Sequence, residues 1–500
     1  TDGDGIGDLE GIIQKLDYIQ SLGIDAIWVN PFYVSPFCDA GYDVADFYDV
    51  APRYGTNETA RRLFNEAHKR NIRIILDFVV GHTSIEHPWF KASCANEPVY
   101  RNWYIWTDGT WADAGSYGDK MIQGYCQRDG KFMINFFWCQ PKLNYGFKKE
   151  DIKYDWQLPE DHPDVVALKE EMKNVMVYWL DMGADGFRVD MAGSAGDAIW
   201  HDVRTMLNEK YPDAFLISEW GVPVTAIKAG FHADFMHWFE SYDDLFHKKW
   251  FDKSGYSYFD SAGKGDITHF LRIFFSQYDQ LKDRGYISVP VDNHDMVRVR
   301  NERRDDRDLE IIYAFQMTFP NLPFLYYGDE IGMRQLDLED LPAVEGAYGS
   351  RAGNRTPMQW NDSKNYGFST APAGDIYLPQ DHSPDAPTVE NQENNPHSLL
   401  HATRKLVNLH KTEPALAAYA DITILYAKKD AYPLIYSRQW QNDRILVVLN
   451  PAEREESVKI PVDSNRKKLK LLMGSGVDLT IEKGYTDVHV EGRSYGIFRY

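Results

Sequence analysis

Cysteine is scarce in this chain of 500 residues: Cys38, Cys94, Cys126 and Cys139 are the only four. No two are spaced as C-x-x-C, which excludes the usual zinc and dithiol redox motifs. Four free, buried thiols are expected. Long apolar runs are also missing: no stretch approaches the roughly 18 residues that a membrane-spanning helix needs. Positive charge is in deficit, with 54 Lys and Arg against 75 Asp and Glu, a formal net charge of −21. Such a surface disfavours nucleic acid and anionic lipid, so neither is expected as a partner. A neutral polyol such as a sugar suits the charge better. There is no internal repeat, no low-complexity tail and no recognisable signal peptide. Location is left open, with the cytoplasm favoured, and so is the oligomeric state.

Apolar residues at 43% allow an ample core, and aromatics reach 14%, with 14 Trp and 31 Tyr. Most aromatics will be core, though aromatic faces also stack on sugar rings. The first 330 residues alternate helix and strand patterns, as βα units do. Ile12, Leu16, Ile19 and Leu22 form one apolar face of a helix over 11–23. Further helices are expected over 60–71 and 165–182. Strands are expected at 26–32, 72–80, 186–192, 215–221, 233–239, 286–292 and 323–329. The run IRIILDFVV (72–80) is apolar on both faces, as a buried parallel strand requires.

These alternations predict an α/β chain with a (β/α)8 TIM barrel. Seven strands are visible where eight are wanted. The chain opens on TDGDGIGDLEG, a loop that should follow a strand, so the first strand is expected to be absent from this chain. The expected domains are barrel over 1–82, an inserted subdomain after the third strand over 83–147, barrel again over 148–416, and a C-terminal β-sandwich over 417–500.

Three carboxylates stand out: Asp190 in GFRVDMA, Glu219 in FLISEWG and Asp295 in VPVDNHDMV. Each ends or follows a short β-rich run, which places it at the C-terminal end of a barrel strand, where such barrels build active sites. A pair of carboxylates is also the minimum for cleaving a glycosidic bond. Arg188 lies two residues before Asp190, on the same strand face. It should keep Asp190 ionised, while the apolar setting of Glu219 should raise its pKa.

With DFVVGH (77–82), GFRVDM (186–191), ISEW (217–220) and DNHD (292–295) in this order, the chain resembles the α-amylase family, glycoside hydrolase family 13, over essentially its whole length. QPKLNY, LYYGDEIGM and NRTPMQW resemble its oligosaccharide-acting branch of α-glucosidases, oligo-1,6-glucosidases and trehalose synthases. The resemblance implies Asp190 as nucleophile, Glu219 as acid and base, and Asp295 as transition-state stabiliser. His82 and His294 would bind sugar hydroxyls, and Asp77 would support Arg188. Asp39 and Tyr42 would hold the terminal glucose, with Arg355 closing that end of the pocket against Asp39. The opening loop resembles a calcium site, with Asp2, Asp4, Asp8 and the Ile6 carbonyl as ligands of a structural Ca2+.

Departures from the family pattern are informative. Gly81 stands where an Asn usually precedes His82, and Lys142 where an Asp is usual. Both argue against a second calcium beside the inserted subdomain. Met191 after the nucleophile matches neither linkage class, so linkage stays open. The expected activity is retaining hydrolysis of short α-glucosides from the non-reducing end. The alternatives are a transglycosylase or isomerase such as trehalose synthase, and a catalytically silent carbohydrate-binding protein.

Overall fold

A parallel sheet of six strands carries the N-terminal two thirds of the molecule. Its members are β1 (Ala26–Val29), β2 (Arg73–Val79), β3 (Gly186–Asp190), β4 (Phe215–Ser218), β5 (Ala233–Phe235) and β6 (Tyr286–Ser288), hydrogen-bonded in that order. The computed structural model describes residues 1–500 apart from 124–125, 238–243, 247–254, 302, 339–349, 462–468 and 483. Every residue of β2 after Arg73 is buried, as its uninterrupted apolar run requires.

Helices start where the sequence supplies caps. α1 (Leu9–Ser21) begins at Asp8, whose carboxylate accepts from the Gly11 amide, two residues ahead of the expected start. α2 (Asn57–His68) opens on a Thr56–Thr59 capping box. α3 (Pro163–Met182) has Pro at its first position and stops at Gly183, whose φ of 113° is readily open only to glycine. Strands are shorter than their apolar runs. The run expected over 233–239 forms a ladder only through Phe235, and its residues 238–239 lie outside those described.

The expected strand over 323–329 does not form. Its start is tethered by Leu322 N–H to the Ile287 carbonyl (2.8 Å), and Phe324 packs on Phe235 at 5.0 Å between ring centroids. A strand is defined by ladder partners, and this segment has none on its far side. Across from it, β1 pairs only with β2. Trp28 and Phe324 flank a cavity of about 1510 Å³ between the two edges. Among the described residues no strand lies there, so the barrel is open along this seam.

Residues 421–499 form one antiparallel sheet: β7 (Asp421–Tyr426), β8 (Leu434–Trp440), β9 (Asp443–Asn450), β10 (Glu456–Pro461), β11 (Lys470–Glu482) and β12 (Tyr485–Arg499). β12 pairs with β9, β10 and β11. One face packs on the barrel through Leu434, Tyr436 and Val447. The other encloses Ile435, Leu446, Val448 and Val490 in a second, smaller core. Buried Arg438 ties the two units, donating to the carbonyls of Thr318, Ala417 and Ala420.

Candidate active site

The parallel register sets the chemistry. Asp77 on β2 lies opposite Arg188 on β3, and Val79 opposite Asp190. Glu219 directly follows β4, its amide donating to the Val189 carbonyl at 2.9 Å. Acid and guanidinium therefore meet at the C-terminal ends of adjacent strands.

Arg188 is the hub. Its Nη1 donates to Asp77 (3.0 and 3.1 Å) and to Asp190 Oδ1 (3.2 Å), and its Nη2 lies 2.7 Å from Glu219 Oε2. It is 1% exposed, so its charge is balanced by these three carboxylates and not by water. Trp28 covers its face at 4.7 Å. Asp77 supports the arginine as expected from sequence, and also accepts from Tyr42 Oη (2.7 Å) and Trp28 Nε1 (3.1 Å).

Two electrostatic expectations are corrected. Asp190 was to be ionised by Arg188 and Glu219 raised by burial. Burial does push up both carboxyls, but Arg188 lies closer to Glu219, and His237 Nε2 stands 3.6 Å from Glu219 Oε1. Glu219 is held down to about 2. Asp190 is raised well above the carboxylate range by burial and by the charge of Glu219. Asp295 is held well below the usual range despite its burial, by His294, Arg351 and Arg355.

Tyr42 is buried, and its ring stacks on His294 with 5.6 Å between centroids. Its hydroxyl bridges Asp77 and His294 Nε2 (2.9 Å). His294 Nε2 also lies 3.1 Å from Asp295 Oδ2. His82 Nδ1 accepts from Asn135 Nδ2 (2.9 Å), which leaves Nε2–H to donate to the Tyr42 carbonyl (3.0 Å). Burial lowers the His82 pKa to about 3, so the ring is neutral.

The end wall differs from expectation. Arg355 does not pair with Asp39. Its Nε donates to the His294 carbonyl (2.8 Å) and its Nη2 to Asp295 Oδ1 (3.1 Å). The guanidinium facing Asp39 is that of Arg351, with Nη1 3.7 Å from Asp39 and Nη2 2.7 Å from Asp295 Oδ1. Arg351 stands one helical turn before Arg355 on the short helix Ser350–Asn354. Gln140 Nε2 donates to Asp39 Oδ2 at 2.7 Å. Arg351, Asn135 and His237 went unnoticed in the sequence, and Gln140 was noticed only as the first residue of QPKLNY.

The cysteine expectation is overturned for one pair: Cys38 is joined to Cys139, while Cys94 and Cys126 are free and half-buried. The disulfide brackets the Asp39–Gln140 hydrogen bond, since each half-cystine adjoins one of its partners. Gly81 is also explained. A Cβ there would meet Ser194 Oγ at 2.3 Å and Asn135 Nδ2 at 2.6 Å. Lys142 Nζ donates to the Ser194 carbonyl (3.1 Å), and burial lowers its pKa to about 8.

The opening loop makes its own contacts. Asp2 accepts from the Asp4 amide (3.1 Å) and Asp4 from the Ile6 amide (2.8 Å). Asp8 caps α1 and takes the Thr1 ammonium at 2.6 Å, where a cation would sit. As placed, Asp2, Asp4 and Asp8 do not gather within one ion's reach.

A parallel-sheet barrel with a carboxylate pair and a third acid at its catalytic face defines a glycoside hydrolase. The match to known proteins is of the same kind. The family model "Alpha amylase, catalytic domain" covers residues 1–418. An oligo-1,6-glucosidase of Parageobacillus thermoglucosidasius is 27% identical over 99% of this chain and 96% of its own length. The trehalose synthase/amylase TreS of Mycobacterium tuberculosis is 32% identical over 83% of this chain and 73% of its own. The isomaltulose synthase structure from Erwinia rhapontici NX5 superposes with a TM-score of 0.81 at 27% identity, covering 100% and 96% of the two chains. This chain belongs to the α-amylase family, glycoside hydrolase family 13.

Proposed function

We propose that the chain is a retaining, exo-acting α-glucosidase of short α-glucosides. The observation that carries this reading is the wall of Asp39, Gln140 and Arg351 beside Asp295. A non-reducing glucose ends in a free 4-hydroxyl, which these groups can bind. A longer chain passing that point would leave them buried and unpaired.

In the reaction Asp190 attacks the anomeric carbon and Glu219 protonates the departing oxygen. To act as the acid Glu219 must carry a proton when substrate enters, although Arg188 holds its pKa low in the empty site. A glycosidic oxygen placed beside Glu219 gives that proton an acceptor, and the positive charge growing on the sugar favours ionised Asp190. Asp295, held ionised by two arginines, would accept from hydroxyls of the distorted ring.

The second reading, a glucosyl transferase or isomerase, uses the same residues and is favoured by the relatives named trehalose synthase and isomaltulose synthase. Incubation with maltose, isomaltose, sucrose and trehalose, with anomer-resolved product analysis, separates the readings. Hydrolysis releases α-glucose, and isomerisation converts one disaccharide to another without glucose. No turnover of any of the four would leave only a silent binding protein. A structural calcium on the opening loop would require Asp2, Asp4 and Asp8 to turn toward one ion. The Cys38–Cys139 bond supports an oxidising compartment over the cytoplasm. No described helix is long and apolar enough to cross a membrane.

A further inference from the structure

The two cysteine pairs stand in different states. Cys38 is joined to Cys139, while Cys94 and Cys126 are free and half-buried. Yet the thiols of Cys94 and Cys126 lie within hydrogen-bonding reach of each other. Cys94 ends the short helix Pro88–Cys94, and Cys126 lies between the paired strands Met121–Gln123 and Lys131–Met133. Helix and hairpin pack together through Phe90 and Phe132, with 5.0 Å between ring centroids. Sulfurs that already touch need only be drawn to about 2 Å to bond. They do not form a metal site: among the described residues, the group of three placed to hold an ion is Cys38, Asp43 and Cys139.

Arg128, two residues past Cys126, spans the same contact. It donates to the Ser93 carbonyl (3.5 Å), the Ser93 hydroxyl (3.4 Å) and the Arg101 carbonyl, and it lies 4.5 Å from the centre of the Trp106 ring. These acceptors are neutral, so its charge acts on both sulfurs, with Arg101 and Asp108 adding opposite charges beside it. A guanidinium beside a thiol favours the thiolate, the form that attacks disulfides. Burial and the neighbouring Cys126 sulfur push the Cys94 thiol up, which leaves the first attack to Cys126.

We propose that Cys94 and Cys126 are a modification site, a dithiol that a small disulfide of the glutathione class thiolates at Cys126 and then closes into a second disulfide. In the first step the Cys126 thiolate bonds to one sulfur of the oxidant, whose S–S bond breaks and releases one thiolate. In the second, Cys94 gives up its proton and bonds to Cys126 Sγ, expelling the other thiolate. The two protein thiols lose two electrons, and the oxidant leaves as two thiols carrying both protons. The product staples the two arms that hold His82. The helix ending at Cys94 follows His82, and the strand Lys131–Met133 leads to Asn135, which donates to His82 Nδ1 at 2.9 Å.

The test uses the full chain, with both thiols opened by limiting dithiothreitol. It is incubated in glutathione buffers of rising oxidised fraction, trapped with iodoacetamide, digested without reductant and mapped by mass spectrometry. We expect a linked pair of peptides, Cys94 with Cys126, that forms with the oxidised fraction and vanishes on re-reduction. Cys94→Ser should stop at a glutathione mixed disulfide on Cys126, and in Cys126→Ser thiolation of Cys94 should be about tenfold slower or more. Closure should raise the melting temperature of the parent by a few degrees. Two alkylated thiols in the most oxidising buffer, or either cysteine linked to Cys38 or Cys139, overturns the site. Faster thiolation of Cys94 than of Cys126 overturns the assigned order, and closure with no rise in melting temperature overturns the staple.

Discussion

Asp77, Arg188, Asp190 and Glu219 hang from three neighbouring parallel strands or the residue just after one. Asp39, Asn135, Gln140 and Arg351, which face them, hang from loops and a five-residue helix. The first group is held by the register of the sheet, which cannot slip without turning every side chain to the other face. The second is held by side-chain bonds to one another and by one disulfide. The chemistry thus sits on the rigid half of the pocket and the selection of substrate on the adjustable half. That division is common where one barrel serves many reactions.

If the division is right, damage to the strand-borne half should abolish chemistry, not shift it. Asp190→Asn and Glu219→Gln should each lower turnover by about three orders of magnitude or more, with circular dichroism unchanged. A fluorosugar that traps the intermediate should label Asp190. Turnover within tenfold of the parent, or a label on another carboxylate, would reassign the roles.

Damage to the loop-borne half should alter which sugars are accepted. Arg351→Ala leaves Asp39 without its guanidinium and removes one of two from Asp295. We expect kcat/KM on maltose to fall about 10²-fold, mostly in KM, and early products from long maltooligosaccharides to become mixed in size. Arg355→Ala, which makes no ion pair with Asp39, should keep release of single glucose units. If the two variants behave alike, Arg351 does not close the pocket.

Legibility followed the same division. An acid at the end of an apolar run is visible in one dimension, because burial of the strand and exposure of its end are both local. So the carboxylates, Arg188 and the barrel class could be read from the residues. Arg351 could not, since nothing near it distinguishes it from Arg355 four residues on. The Cys38–Cys139 bond joins residues 101 apart and needed the fold to bring them together. The run 323–329 did not form a strand although its composition is right: the Leu322 amide just ahead of it bonds β6, and no ladder follows among the described residues.

The disulfide offers a finer test of the adjustable half. Closing so long a loop should stabilise the protein by about 2–4 kcal/mol, a loss to be read from denaturant curves of Cys139→Ser. Because Cys38 and Cys139 adjoin the two partners of the Asp39–Gln140 hydrogen bond, KM should also rise several-fold while turnover on saturating substrate changes little. Dithiothreitol should reproduce both effects in the parent and neither in the variant. Identical curves with and without reductant would show that the wall is held by its hydrogen bonds alone.

The smallest effect is expected at the opening loop, which belongs to neither half. Asp8 already caps α1, so a calcium ion must compete with the Gly11 amide for its carboxylate. Its net binding should be weak, and only binding to the folded state stabilises. At ten- to hundredfold excess over the dissociation constant that amounts to about 1–3 kcal/mol. Calcium titration should raise the melting temperature by a few degrees and leave KM and turnover unchanged, because α1 starts here while the carboxylates hang from β2, β3 and β4. Asp2→Asn and Asp4→Asn should abolish the rise. A loss of activity on chelation would contradict the separation, since it would tie the terminal loop to the strand-borne chemistry. No thermal response at all would mean that the loop holds no calcium.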